Sequence, residues 1–352
     1  MTSPEASRLR EALRAVTRGR VLSRDEAREA FEALFNGSEQ SALAAAFIAA
    51  LATRGETAEV VAGLVDFLRA KAIRPPVEEA LAAMAVDVCG TGGDGLQTFN
   101  ISTATAFVVA AAGVPVAKHG GRAVSSSCGS ADVLAGLGVD IEMSPERAAD
   151  ALRRANVSFF YAPLYHAAMK RVAPLRRELG IRTVFNLAGP LCNPLGVKRQ
   201  IVGVDRPERI DVLARAFAAL GCEKVLVYAN AAGGDELLPI GKTRVAEVSG
   251  EEIRRFDLSA ADFGLSEGRP EELQGSTVER NVEILRVILD GEYGTPRETV
   301  LMNAAAALVA AGRAENWRHG VGMAVAAIDG GGAREALLTL KAVSRGSLGG
   351  PG

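Results

Sequence analysis

Apolar and polar positions change rhythm once along this chain. Up to Ala72 the apolar residues recur at the three-and-four spacing of amphipathic helices. The stretch "SRDEAREAFEALFNG" sets Ser23 and Glu26 at capping-box spacing and stops at Asn36-Gly37. "SALAAAFIAALATRG" and "TAEVVAGLVDFLRAKA" follow as two further helices, each closed by a turn. Pro75-Pro76 is a stiff break, which puts a helical unit at 1–75.

Beyond it, β-branched runs alternate with Ala-rich helical stretches. "VDVC", "VPVAK", "VSFFYA", "RQIVGV" and "KVLVYAN" read as strands. "TRVAEVSG" with "IRRFDLS" reads as an antiparallel addition. This alternation predicts an α/β unit over 76–345, with a mostly parallel central sheet flanked by helices on both faces. Three helical patterns, "STVERNVEILRVILDG", "TVLMNAAAALVAAG" and "WRHGVGMAVAAIDG", close the chain before a flexible tail at 346–352.

Composition narrows the class. The 352 residues are 48% apolar and 23% charged, with a formal net charge of −2, which suits a soluble globular protein. A near-neutral balance argues against nucleic-acid and membrane-surface partners, which call for a basic excess. Cys89, Cys128, Cys192 and Cys222 are scattered without a C-x-x-C pair, so free thiols in a reducing cytoplasm are expected. "MTSPEASRLREALRAV" is not built like a secretory signal, and the apolar run "ATAFVVAAAGVPVA" is too short to span a bilayer.

Two loops at successive strand ends carry the candidate chemistry. In "GTGGDGLQTFNIST", Gly90, Gly92 and Gly95 satisfy G-x-G-x-x-G. No Asp or Glu occurs between Asp94 and Asp132 to take a ribose hydroxyl, so the dinucleotide pattern fails, and the full Walker pattern is absent. The loop still suits phosphate: its glycines turn N–H groups toward an oxyanion, and Thr98, Asn100, Ser102 and Thr103 add donors at a helix start. A plain Gly turn capped by Ser102 or Thr103 is the alternative. In "KHGGRAVSSSCGSAD", Lys118 aims a cation at the same end of the sheet, and Arg122 offers a fork for phosphate. Ser125, Ser126 and Ser130 add hydroxyls; a capped turn with a solvated lysine is the bland reading.

Asp235-Glu236, after a strand and a Gly turn, is a carboxylate pair suited to Mg²⁺ shared with substrate phosphates. "APLYHAAMKRVAPLRRELGIRT" reads as a basic helix. His166 in it is structural or catalytic, and Arg176 and Arg177 either face solvent or fix a substrate carboxylate.

Taken together and in order, "GTGGDG…T.N.ST", "KHG.R.VSS..GSADVL", "H.AMK.VAP.RRELGIRT.FNL.GPL.NP", the acidic pair and "NAAAAL" resemble the anthranilate phosphoribosyltransferases. The resemblance spans nearly the whole chain. It implies transfer of phosphoribosyl from phosphoribosyl pyrophosphate (PRPP) to the amine of anthranilate, a step of tryptophan biosynthesis, with release of pyrophosphate. It implies a helical domain, completed by the helix 164–182, through which homodimers form. By the same resemblance, PRPP is bound by Gly90, Gly93, Asp94, Thr98, Asn100, Ile101, Ser102 and Thr103, and by Lys118, His119, Gly120, Gly121, Arg122, Ala123, Val124, Ser125, Ser126 and Ser130. Gly90 and Arg176 meet anthranilate. Ser102, Asp235 and Glu236 hold Mg²⁺, two ions being expected, and Lys118, Asp235 and Glu236 carry catalysis.

The chain departs from the family pattern at three places. Gly121 replaces the asparagine of Lys-His-Gly-Asn-Arg, Ser127-Cys128 replaces Lys-Ser, and Ala167 replaces proline. The donor and metal half is therefore expected intact, and the acceptor half weakened or redirected to another aromatic amine. A pyrimidine-nucleoside-phosphorylase-like enzyme, a non-catalytic nucleic-acid-binding relative and a dinucleotide oxidoreductase are the other readings. They would show phosphate-dependent nucleoside cleavage, a basic groove, or cofactor absorbance.

Overall fold

The computed structural model describes residues 3–37, 42–93, 95–123 and 128–347. Four helices, Pro4–Thr17, Arg24–Asn36, Ala42–Arg54 and Ala58–Lys71, form the N-terminal bundle. The expected capping box is present: Glu26 N–H donates to Ser23 Oγ at 3.2 Å and Ser23 N–H to Glu26 Oε2 at 2.8 Å. Close helix contact rests on Gly63, where a Cβ would lie 2.4 Å from the Arg24 carbonyl and 2.8 Å from Ala27 Cβ. Beside it, Arg24 grips Asp66 with two bonds of 2.6 and 2.8 Å and donates to the Ala219 carbonyl, tying the bundle to the end of the helix Ile210–Ala219.

Among the described residues seven strands make one sheet: β1 (Val86–Gly90), β2 (Val116–Gly120), β3 (Val157–Tyr161), β4 (Arg199–Gly203), β5 (Lys224–Asn230), β6 (Thr243–Ser249) and β7 (Glu252–Leu258). Their order is β3-β2-β1-β4-β5-β6-β7. The first five are parallel, and β6 and β7 extend the sheet antiparallel, as the sequence pattern indicates. The chain winds outward from β1 to β3, then returns to the other side of β1 as β4. That reversal opens a crevice at the carboxyl ends of β1 and β4, where open α/β sheets bind ligands.

Period-two alternation divides the sheet between two cores. Leu226 and Tyr228 of β5 join the core under the C-terminal helices. Val225, Val227 and Ala229 join the core shared with the N-terminal bundle. Both faces are covered, which explains the near-continuous apolar runs.

Two sequence expectations change. Four helices close the chain, not three: Gly332–Ser344 follows Val278–Leu289, Thr295–Ala310 and Trp317–Asp329. Its mixed composition hid it behind a glycine run. The single basic helix expected from 162 to 183 is broken into Ala162–Tyr165 and Met169–Leu179, the second ending at Gly180 with φ +60°. Of the predicted tail, 348–352 lie outside the described residues. Among the described residues no helix is long and apolar enough to cross a membrane.

Replacing Gly63 with alanine adds helix propensity worth up to ~1 kcal/mol, yet forces the bundle apart. The clash dominates, and G63A is expected to lose about 1–3 kcal/mol in urea unfolding. An unchanged or raised unfolding midpoint would refute this close contact.

Candidate active site

The crevice holds a cavity of about 650 Å³. Its floor is the end of β1. Gly90 pairs with Gly203 of β4, and both press on Asp235: a Cβ at Gly203 would sit 1.6 Å from the Asp235 carbonyl oxygen, and one at Gly90 2.2 Å from Oδ2. Only two facing glycines let the loop after β5 enter this far. Asp235 then accepts the Gly92 N–H at 2.6 Å, while Thr91 N–H donates to the Gly203 carbonyl at 2.9 Å. Gly92 and Gly93 take φ of +69° and +72°, a left-handed pair that exposes backbone amides. Asp235 and Glu236 line the cavity and are both buried.

The helix after this loop, Ile101–Ala111, begins without side-chain capping: Asn100 is the N-cap residue and makes no cap hydrogen bond. Ser102 and Thr103 do not cap it, so the capped-turn alternative fails. Instead, Asn100 Nδ2 donates to the Cys128 carbonyl at 3.1 Å, tying the first loop to the second. Ser102 Oγ accepts from Lys118 Nζ at 3.0 Å. Thr103 lies off the cavity wall, buried in the helix–sheet core.

Lys118 is no solvated loop lysine. It stands within β2, is 3% exposed, and also donates to the Val88 carbonyl at 2.7 Å. Arg122 lines the cavity, and one arm of its guanidinium pairs with Asp132 at 2.8 Å. Asp132 is the organiser of this loop. It also accepts N–H bonds from Ala123 at 2.9 Å and Gly129 at 3.0 Å, and sits in the first turn of Ser130–Leu137.

The cavity brings together Gly90, Gly93, Thr98, Asn100, Ile101 and Ser102 from the first loop, and Lys118 to Ala123 with Ser130 from the second. Arg176, Asp235 and Glu236 complete it. Asp94, Val124, Ser125 and Ser126 lie outside the described residues.

Sequence reasoning missed two features. The first is a buried network beneath β1. Asp87 is fully buried and accepts from Val88 N–H at 2.8 Å, His119 N–H at 3.3 Å and Asn193 Nδ2 at 2.8 Å. Gln200 Nε2 approaches at 3.4 Å. Burial pushes its carboxyl up to about 6, against the pull of Lys118 and these donors. The single signal in the sequence was an acid inside an apolar strand, "VDVC".

The second is an aromatic wall. His119 and His166 meet edge to face at 5.2 Å, both buried, and Phe185 lies under the Arg176 guanidinium at 5.4 Å. Burial, then the neighbouring His166, pushes the His119 imidazole down to about 3, and burial lowers His166 too. Both rings are neutral near pH 7. His119 Nε2 and His166 Nδ1 have no hydrogen-bond partner among the described residues, and both histidines line the cavity. Burial also lowers the Arg176 value, the price of bringing a guanidinium to an enclosed wall.

Comparison with known proteins agrees with this geometry. Residues 10–72 match the helical bundle domain of the glycosyl transferase family and residues 82–334 its a/b domain. The chain is 48% identical over 335 residues to the anthranilate phosphoribosyltransferase of Thermomicrobium roseum, covering 94% of this chain and 96% of that protein. It is 46% identical to that of Parvibaculum lavamentivorans, with coverage of 93% and 95%. Among solved structures, the Thermus thermophilus anthranilate phosphoribosyltransferase superposes with a TM-score of 0.87 at 38% identity, covering 95% of this chain and 99% of that one. The Saccharomyces cerevisiae enzyme in complex with PRPP and Mg superposes at 0.86 with 26% identity, covering 96% and 98%. A fold wound around a glycine-floored crevice and a sequence this similar along its length lead to one conclusion: the chain belongs to the anthranilate phosphoribosyltransferase family of glycosyl transferases.

Proposed function

We propose that this chain transfers the phosphoribosyl group of PRPP to the amine of anthranilate, releasing pyrophosphate, in tryptophan biosynthesis. The observation that carries the reading is the shared cavity, where two backbone-rich loops, a buried lysine and a carboxylate pair meet a wall of arginine and neutral aromatic rings.

The two halves divide the work. The glycine loop amides, Asn100, Ser102, Lys118 and the second loop bind the diphosphate and phosphoribose. Arg176 pairs with the carboxylate of anthranilate, and His119, His166 and Phe185 pack against its ring. Departure of pyrophosphate leaves an oxocarbenium-like ribose, so the protein must align the amine and stabilise the leaving charge. Lys118, locked between Val88 and Ser102, holds its positive charge at the cavity without reorganising. The amine is a neutral nucleophile, so no strong base is required.

Magnesium fits the donor set. Among the described residues no cluster of three or more His, Cys, Asp and Glu forms a closed metal cage. Mg²⁺ prefers one or two carboxylates completed by water and substrate phosphate, and Asp235 and Glu236 supply such a pair at the cavity. Ser102 is the proposed third ligand, and two ions are proposed. When bound, Mg²⁺ neutralises the charge that develops on the leaving pyrophosphate. The same reading takes in unit boundaries at 1–75 and 76–345, a homodimer through the helical unit, and a cytoplasmic location.

The direct test follows loss of anthranilate together with pyrophosphate release, with PRPP and Mg²⁺ present. Turnover of both in equal amounts is expected; nucleoside cleavage by phosphate without anthranilate turnover would refute the reading. D235N removes about 3 kcal/mol of charge stabilisation, and a rate loss of ~100-fold or more is expected. Steady-state rates over a Mg²⁺ series check it, and unchanged kinetics would remove Asp235 from the metal site.

Gly121 is the third test. Among the described residues a Cβ there meets nothing within 4 Å, and the φ of Gly121 lies outside the left-handed region, so a side chain is tolerated at this backbone. One restored hydrogen bond is worth about 1 kcal/mol, so G121N is expected to lower the KM for anthranilate roughly five-fold. An unchanged KM would show that the departure at 121 is neutral for the acceptor.

A further inference from the structure

The glycine loop can present its amides only if its peptides keep one orientation. Gly92 and Gly93 both sit at positive φ with no side chain to hold them. A peptide between two glycines turns over at little steric cost. The wrong orientation would aim a carbonyl, not an N–H, at an anion.

The peptide before Gly92 is fixed by Asp235, which accepts the Gly92 N–H. The peptide after it is fixed from the other side of the loop. Arg182 Nη1 donates to the Gly92 carbonyl at 2.5 Å. Arg182 is not on the cavity wall, whereas Gly92 and Gly93 are, so the loop stands between this guanidinium and the cavity. In a planar trans peptide the C=O and the following N–H point in opposite directions. A Gly92 carbonyl held on Arg182 therefore turns the Gly93 N–H away from Arg182.

Arg182 is itself anchored. Its Nη2 lies 3.5 Å from Asp205 Oδ1, just past the end of β4, where Arg209 pairs with the same carboxylate at 2.6 Å and Arg206 at 3.2 Å. Its Nε is buried without a hydrogen-bond partner among the described residues, and its Nη2 has only the 3.5 Å approach of Asp205, so the guanidinium carries a desolvation cost here. The chain keeps a guanidinium here that does not touch the cavity.

We infer that Arg182 is a positioning residue, which locks the Gly92–Gly93 peptide so that the Gly93 N–H faces the diphosphate of the substrate. The inference rests on the proposed use of this cavity for PRPP. Charged hydrogen bonds are the strong ones, so losing this one releases the peptide and weakens anion binding without altering the acceptor wall.

The test is calorimetric binding of magnesium pyrophosphate to the full chain, alongside KM values for both substrates. R182Q is expected to weaken pyrophosphate roughly 10- to 100-fold and to raise the KM for PRPP, leaving the KM for anthranilate unchanged. R182K keeps one donor and the charge, and should recover part of the loss. R206A removes another partner of Asp205 that does not bond Gly92, and should bind as the parent does. Amide exchange at Gly93 gives a second readout, with protection by magnesium pyrophosphate in the parent and less in R182K, even if R182Q folds poorly. Equal pyrophosphate affinity in parent and R182Q, or equal Gly93 protection in parent and R182K, overturns the inference. A parent chain that does not bind magnesium pyrophosphate overturns the PRPP reading itself.

Discussion

The site depends on the absence of two Cβ atoms. Gly90 and Gly203 face each other across β1 and β4 at the point where the winding of the sheet reverses, and Asp235 occupies the space their side chains would take. From that position a single carboxylate belongs both to the Asp235-Glu236 pair of the cavity and to the glycine loop, whose Gly92 amide it holds at 2.6 Å. The loop after β1 and the loop after β5 are thus one unit. The second loop joins them through Asn100 and the Cys128 carbonyl. A small change at the strand ends is felt in all three segments at once, because close-packed interiors relax little.

Beneath that floor lies the less expected element, a buried acid. Asp87 makes the ends of β1 and β2 and the Asn193 segment share one carboxylate. A lone buried carboxylate would be costly, and hydrogen bonds with a nearby lysine make it tolerable. Its raised value, about 6, shows that desolvation still wins over Lys118 and the donors. The consequence for Lys118 is electrostatic: a cation 3% exposed has a negative partner below it and two oxygens beside it. It reaches the cavity already oriented.

Much of this was legible in the sequence. The mostly parallel sheet follows from the alternation of strands and helices, though its strand order does not, and the two loops announce themselves through glycines and hydroxyls that bury little. What periodicity hides is any residue whose partner is remote in the chain. Asp132 reads as an ordinary helix-start acid, yet it pairs with Arg122 and accepts from the Ala123 and Gly129 amides. Asp87 reads as an oddity within a strand until Asn193 and Gln200 are placed beside it. The break between Tyr165 and Met169 is equally silent, since Ala167 and Ala168 favour a helix. His166 leaves the helix there, and its Nε2 bonds the Cys192 carbonyl at 2.7 Å.

The two halves of the cavity rest on different supports, and this bears on how the acceptor is chosen. Donor-side groups stand on strand ends and on the first turns of helices that pack in the sheet's own core. Apart from His119 of β2, the arginine and aromatic wall comes from the long crossover between β3 and β4, and Val172, Leu175 and Phe185 of that crossover pack with the N-terminal bundle. Phe185 touches Phe31 and Phe35 edge to face, at 6.2 and 6.0 Å, while its own ring carries Arg176. The guanidinium is thus aimed by aromatic packing in the bundle, with no ion pair to it among the described residues. On the proposed reading, substitutions at Phe31 or Phe35 would reach Arg176 through Phe185 and leave the two glycine loops alone, so the bundle-supported wall and the sheet-supported loops can vary separately, Gly121 of the second loop excepted.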